Sequence, residues 1–122
     1  MRIKCGTILA AAVVASSGAL GAHAPRVWFN EDNEHFYGCH PPEDMTEEGC
    51  RNLVRTYAGF GEFKGILFCI NMQRALYDSN VWERFKDQEN PVRPGYPENL
   101  RRLSERGVDQ FAVWLDETRR RC

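Results

Sequence analysis

The stretch that decides the fold is Thr46–Cys69, TEEGCRNLVRTYAGFGEFKGILFC. Its apolar positions are Cys50, Leu53, Val54, Tyr57, Phe60, the stem of Lys64, Leu67 and Phe68. They follow the i, i+3, i+4, i+7 spacing of one helix face. Thr46 is a good N-cap residue, and Glu47 and Glu48 stand in the first turn, where carboxylates suit the helix dipole. The pattern predicts one amphipathic helix over the whole stretch. Gly61 and Gly65 each cost about 1 kcal/mol of helix propensity against Ala, which is easier to understand if another backbone packs closely against them. The alternative is a break near Gly59-Phe60-Gly61 that leaves two short helices.

A cysteine stands at each end of this segment, so the rest of the cysteine framework is read from it. Before that, the N-terminus has to be set aside. Arg2 and Lys4 precede a short apolar run, Ile8 to Ala15, and Ala22-His23-Ala24 forms an A-x-A cleavage signal. Residues 1–24 are expected to be a signal peptide, too short in its apolar run to act as a membrane anchor. The expected destination is the periplasm. Residues 25–122 would then form one small domain. The leader takes two of the 16 basic residues and none of the 17 acidic ones, which leaves a net charge of −3. That balance gives no support to nucleic-acid or anionic-membrane binding.

Cys39, Cys50, Cys69 and Cys122 remain after cleavage, an even count that implies two disulfides in a secreted chain of this size. If Cys50 and Cys69 end one helix they lie about 28 Å apart, whereas a disulfide needs α-carbons within about 7 Å. The short linker HPPEDM keeps Cys39 near Cys50. The expected pairs are therefore Cys39–Cys50 and Cys69–Cys122.

Upstream, Pro25 to Asn30 reads as an extended lead-in, followed by a short helix through His40 that Pro41-Pro42 ends. Downstream, Asn71 to about Lys86 carries a weaker helical pattern, interrupted at Asp78-Ser79-Asn80. Residues 87–97, DQENPVRPGYP, hold three prolines and a glycine and read as a loop. Glu98 to Thr118 reads as a clean helix, with Leu100, Leu103, Gly107, Val108, Phe111, Trp114, Leu115 and Thr118 on one stripe. No alternating strand pattern of useful length is present. The expectation is an all-α domain, a small bundle of four or five helices stapled by two disulfides.

The chain carries no Cys-x-x-Cys and no Gly-x-Ser-x-Gly, so redox, haem-attachment and hydrolase motifs are missing. His35 and His40, five residues apart, do not share a helix face and are read as surface histidines, so no metal or cofactor is expected. The enzyme class is unsupported. Seven acids and no Lys or Arg lie between Val27 and Cys50, including Glu43, Glu47 and Glu48. They form either a solvated surface or a patch for a basic protein partner. In the 87–97 loop, Arg93 and Tyr96 are residue types enriched at binding hot spots. Alternatively, Tyr96 packs on the last helix and the prolines only end the preceding element.

The order Tyr37-Gly38-Cys39, then Cys50 with Tyr57-Ala58-Gly59-Phe60, then Leu67-Phe68-Cys69 and a terminal cysteine resembles the Rap/Tai family of type VI secretion immunity proteins. The resemblance covers roughly residues 31–122. It implies a small helical periplasmic domain, often a dimer, that binds and blocks a toxic peptidoglycan amidase. The partner would then be a cognate secreted amidase effector. A second reading is an acid-stress chaperone resembling the HdeA type, which typically relies on one disulfide and a lysine-rich tail. Lys64 and Lys86 are the only lysines after the leader. A binding domain with no toxin-related role is the third.

Overall fold

A computed structural model describes residues 27–32, 34–71, 73–89 and 93–122; the expected signal peptide lies outside them. Along the chain, strand β1 (Trp28–Glu31) is followed by helices α1 (Glu34–Cys39) and α2 (Glu47–Ala58). Strand β2 (Gly65–Phe68) and helices α3 (Gly95–Glu105) and α4 (Gln110–Arg121) complete it. Single 3₁₀ turns occupy Pro42–Asp44 and Phe85–Asp87. The domain is thus mixed α/β, and the all-α expectation is corrected.

The correction begins inside the stretch quoted first. Thr46 caps α2 as expected, its hydroxyl accepting the Gly49 N–H at 3.0 Å. The helix then ends at Ala58, because glycines at 59, 61 and 65 withdraw side-chain contacts and raise the entropy cost of helix. The following Gly-Ile-Leu-Phe run is β2, paired in parallel with β1 from Trp28 opposite Gly65 to Glu31 opposite Phe68. Four consecutive apolar residues suit a strand or a helix equally well. Pairing with a segment far upstream decides between them.

One face of this two-stranded sheet is packed. Phe29 stacks on Tyr57 of α2 at 4.4 Å, and Phe68 stacks on Trp114 of α4 at 5.0 Å. Trp114 is fully buried and also meets Phe36 and Phe111 edge-on, at 5.4 Å in each case. The core sits around it, between the sheet and α1, α2 and α4, with Met45, Leu53, Val54, Leu76 and Leu103 buried alongside.

The single helix expected over residues 98–118 is two helices. Gly107 adopts φ +68°, the left-handed region that glycine tolerates best. Its N–H bonds to Ser104 O at 3.0 Å and the Val108 N–H to Leu103 O at 2.9 Å, a Schellman closure of α3. Asp109 then caps α4 by accepting the Ala112 N–H at 3.0 Å. The helix expected from Asn71 to Lys86 is also absent among the described residues. Ala75 instead bridges Asn71 on one side and Arg84 on the other. Ser79 satisfies the Val81 and Trp82 N–H groups, so the interruption read there is a turn with no helix behind it. Among the described residues no helix is long and apolar enough to cross a membrane.

The disulfide pairs are corrected as well: none of Cys39, Cys50, Cys69 and Cys122 is bonded to another. The elimination rested on one unbroken helix, which does not exist. Cys39 faces solvent at the end of α1, whereas Cys50 is fully buried on the inner face of α2. Cys122 lies beside Lys64, Gly65 and Ile66 at the start of β2, while Cys69 follows its other end. Four residues of strand separate them by about 13 Å, beyond disulfide reach. The Cys69 thiol donates to Asn71 O at 2.6 Å.

Candidate functional site

The surface residues read as contacts are placed differently from their expected roles. Tyr96 falls within the first turn of α3 and is only 6 % exposed. Its ring lies against Gly38 so closely that a Cβ there would collide with it, and it meets Phe85 edge-on at 6.5 Å. Arg93 is exposed and sits over the Tyr96 ring at 5.6 Å, donating to its hydroxyl at 3.2 Å. Tyr96 therefore anchors α3 to α1, and Arg93 is the exposed member of the pair.

The acidic run is partly paired within the fold. Glu47 accepts from Arg51 at 2.9 Å, Glu48 from Arg55 at 2.5 Å, and Asp44 pairs with His40 at 3.0 Å. Glu43 is exposed on the 3₁₀ turn. Sequence counting showed an excess of acid because the neutralising arginines follow Cys50.

Three polar or apolar constellations remain. The first runs Glu31–Tyr57–His35. Tyr57 donates a short hydrogen bond to the buried Glu31 carboxylate, so its oxygen accepts from His35 Nδ1 at 3.0 Å. Burial raises the Tyr57 pKa well above its ordinary value, and the Glu31 bond raises it further. The His35 and His40 rings meet edge-on at 5.0 Å. They come together because α1 ends at Cys39 and His40 turns back beyond it, which helical spacing alone does not reveal. The chain of bonds ties β1, α1 and α2 together. Among the described residues no group of three or more His, Cys, Asp or Glu is arranged to hold a metal ion.

The second is a recess of about 320 Å³ beside α3, where Lys86 Nζ lies 2.5 Å from both Asp78 Oδ1 and Ser104 Oγ. A serine beside a lysine suggests nucleophilic chemistry, which needs a neutral amine as base. Here the amine is engaged by a carboxylate: the Lys86 hydrogen bond holds Asp78 below the ordinary carboxylate range. Ser104 donates to the same carboxylate at 3.2 Å. The trio clamps the 78–86 segment to α3.

The third is apolar. Trp28 and Leu67 alternate onto the outer face of the sheet, 50 % and 52 % exposed, and the Trp28 ring lies on Gly65, where a Cβ would strike it. Where the start of β2 meets the last turns of α4 runs a groove of about 390 Å³ walled by Trp28, Ile66, Leu115 and Thr118. Lys64 and Arg119 stand on it, with Lys64 Nζ 5.8 Å from the Trp28 ring centre. Sequence reading missed this surface, since Trp28 falls in the stretch read as an extended lead-in and Leu115 in the stripe of the last helix. The signal available was a tryptophan in an extended segment facing a glycine-led apolar run. No family model matches the chain, and no curated protein matches it significantly.

Proposed function

We propose that the chain is a periplasmic binding protein that inhibits a peptidoglycan amidase delivered by type VI secretion. The observation that carries the binding part is the open apolar groove that Trp28 and Leu115 line together, each close to half exposed. Large apolar side chains gathered on one surface of a small protein mark an interaction site. The amidase part rests on the sequence resemblance, carried by the order of Cys39, Cys50, Cys69 and Cys122 with Tyr57-Ala58-Gly59-Phe60 and Phe68-Cys69. In that motif Tyr57 and Gly59 shape the end of α2, and Phe60 projects with 68 % of its surface exposed. The test mixes the purified protein with an amidase encoded beside it. Inhibition at near-equal molar ratio is expected, with no hydrolysis of cell-wall peptides by the protein alone. Turnover of those fragments by the protein itself would refute the reading.

The acid-stress chaperone reading has one observation in its favour. Asp78, Glu98, Asp116 and Glu117 all hold pKa values below the ordinary range through cationic partners, so acid loosens the fold. Protection of unrelated proteins from aggregation at low pH, without inhibition of the amidase, would favour it.

A further inference from the structure

The groove between the sheet and α4 combines an apolar wall with two cations that no side-chain carboxylate satisfies. Arg120 pairs with Asp116 and Arg121 with Glu117, and the cations Lys86, Arg51 and Arg55 are likewise engaged. Lys64 and Arg119 pair with no carboxylate among the described residues, and no carboxylate side chain lines the groove. The end of α4 contributes about half a negative charge from its open carbonyls. Cys122, which also lines the groove, adds its main-chain carboxylate, and the two full cations exceed this sum by about half a charge. Within the wall the Thr118 hydroxyl is buried without a hydrogen-bond partner among the described residues.

We propose that this groove takes an extended acidic segment of a partner protein. One large apolar side chain enters between Trp28 and Leu115, and a neighbouring carboxylate meets Lys64 and Arg119. The chemistry follows from what the walls lack: apolar area without cover, and positive charge without a side-chain counter-ion. A basic or purely polar segment would leave one of these unmet. The proposal rests on the partner-binding reading above and names the contact within it.

The probes are three blocked pentapeptides: Gly-Asp-Phe-Asp-Gly, its isostere Gly-Asn-Phe-Asn-Gly and Gly-Asp-Ala-Asp-Gly. Each is titrated into the isotopically labelled protein and followed by nuclear magnetic resonance. The first peptide is expected to shift the Trp28 indole N–H and the amides of residues 64–66 and 115–119. The other two should bind about tenfold more weakly, a difference of about 1.4 kcal/mol. Raising salt from about 50 to 500 mM should weaken the first peptide several-fold. The double variant Lys64→Glu/Arg119→Glu should lose binding while its spectrum stays that of the folded protein. Equal binding of the isostere, shifts mapping elsewhere, or no binding at millimolar peptide would overturn the proposal. So would self-association that covers the same amides without peptide, which would assign the groove to a second copy. The amidase assay separates the two readings. A double variant that still inhibits the enzyme refutes the groove as the contact and leaves inhibition standing. A wild-type protein that binds the peptide but inhibits no neighbouring amidase refutes the amidase reading and leaves the groove.

Discussion

Glu117 lies in α4 with 2 % of its surface exposed, yet three guanidinium groups reach its oxygens. Arg55 and Arg121 donate to Oε1 at 3.1 and 3.0 Å, and Arg51 to Oε2 at 3.2 Å. Burial alone would raise this carboxyl's pKa; the hydrogen bonds from Arg121, Arg55 and Arg51 outweigh it and hold the group low. A carboxylate depressed in the fold contributes stability above its unfolded pKa and loses it as pH falls through the folded value. Urea midpoints should therefore decline below about pH 4.5, and the decline should be smaller in Glu117→Gln. At neutral pH that variant should lose about 2 kcal/mol, the scale of charge-assisted hydrogen bonds. Asp116→Asn removes a more exposed pair and should cost less than Glu117→Gln. The thiols offer a second test at this scale. Burial pushes the Cys50 thiol up to about 12. Cys39 and Cys122, both exposed, should label with a thiol reagent in the native protein, and Cys50 only after unfolding. A Cys39–Cys50 or Cys69–Cys122 peptide in an unreduced digest would contradict the structure.

At the scale of elements, the turn between α3 and α4 and the two faces of β2 make separate claims. Gly107→Ala places a Cβ in the left-handed region, with nothing within 4 Å to clash. The cost should be conformational only, about 1 kcal/mol by thermal or chemical denaturation. For β2, Phe68 faces Trp114 and Leu67 faces solvent. Phe68→Ala should cost about 3 kcal/mol through lost packing, whereas Leu67→Lys should stay within about 0.5 kcal/mol. Similar effects for the two would mean that this segment is not a strand with one face packed.

At the scale of the whole molecule, stability is concentrated where α2 meets α4. Trp114, Leu53 and Val54 are buried there, and the Arg51–Glu117 network closes the same seam. Among the described residues, 70–84 contribute few backbone bonds, such as Ala75 N–H to Glu83 O and Leu76 N–H to Ile70 O. Hydrogen exchange should be slowest in the central turns of α2 and α4 and fastest in 77–83. Uniform protection across both would contradict this division.

What the sequence determined by itself was local. The Thr46 cap, the short helix stopped before Pro41 and the apolar positions Cys50, Leu53, Val54 and Tyr57 of α2 all follow from interactions within a few residues. What tertiary structure decided was non-local. Gly-Ile-Leu-Phe at 65–68 became a strand because β1 was available as a partner and Trp114 as a floor. Tyr96 was drawn inward by the space over Gly38, which no reading of the 87–97 segment alone could supply. The groove exists only because the end of α4 lies beside the start of β2. A four-residue apolar run carries too little periodicity to choose its own conformation. Long-range pairing and burial make that choice.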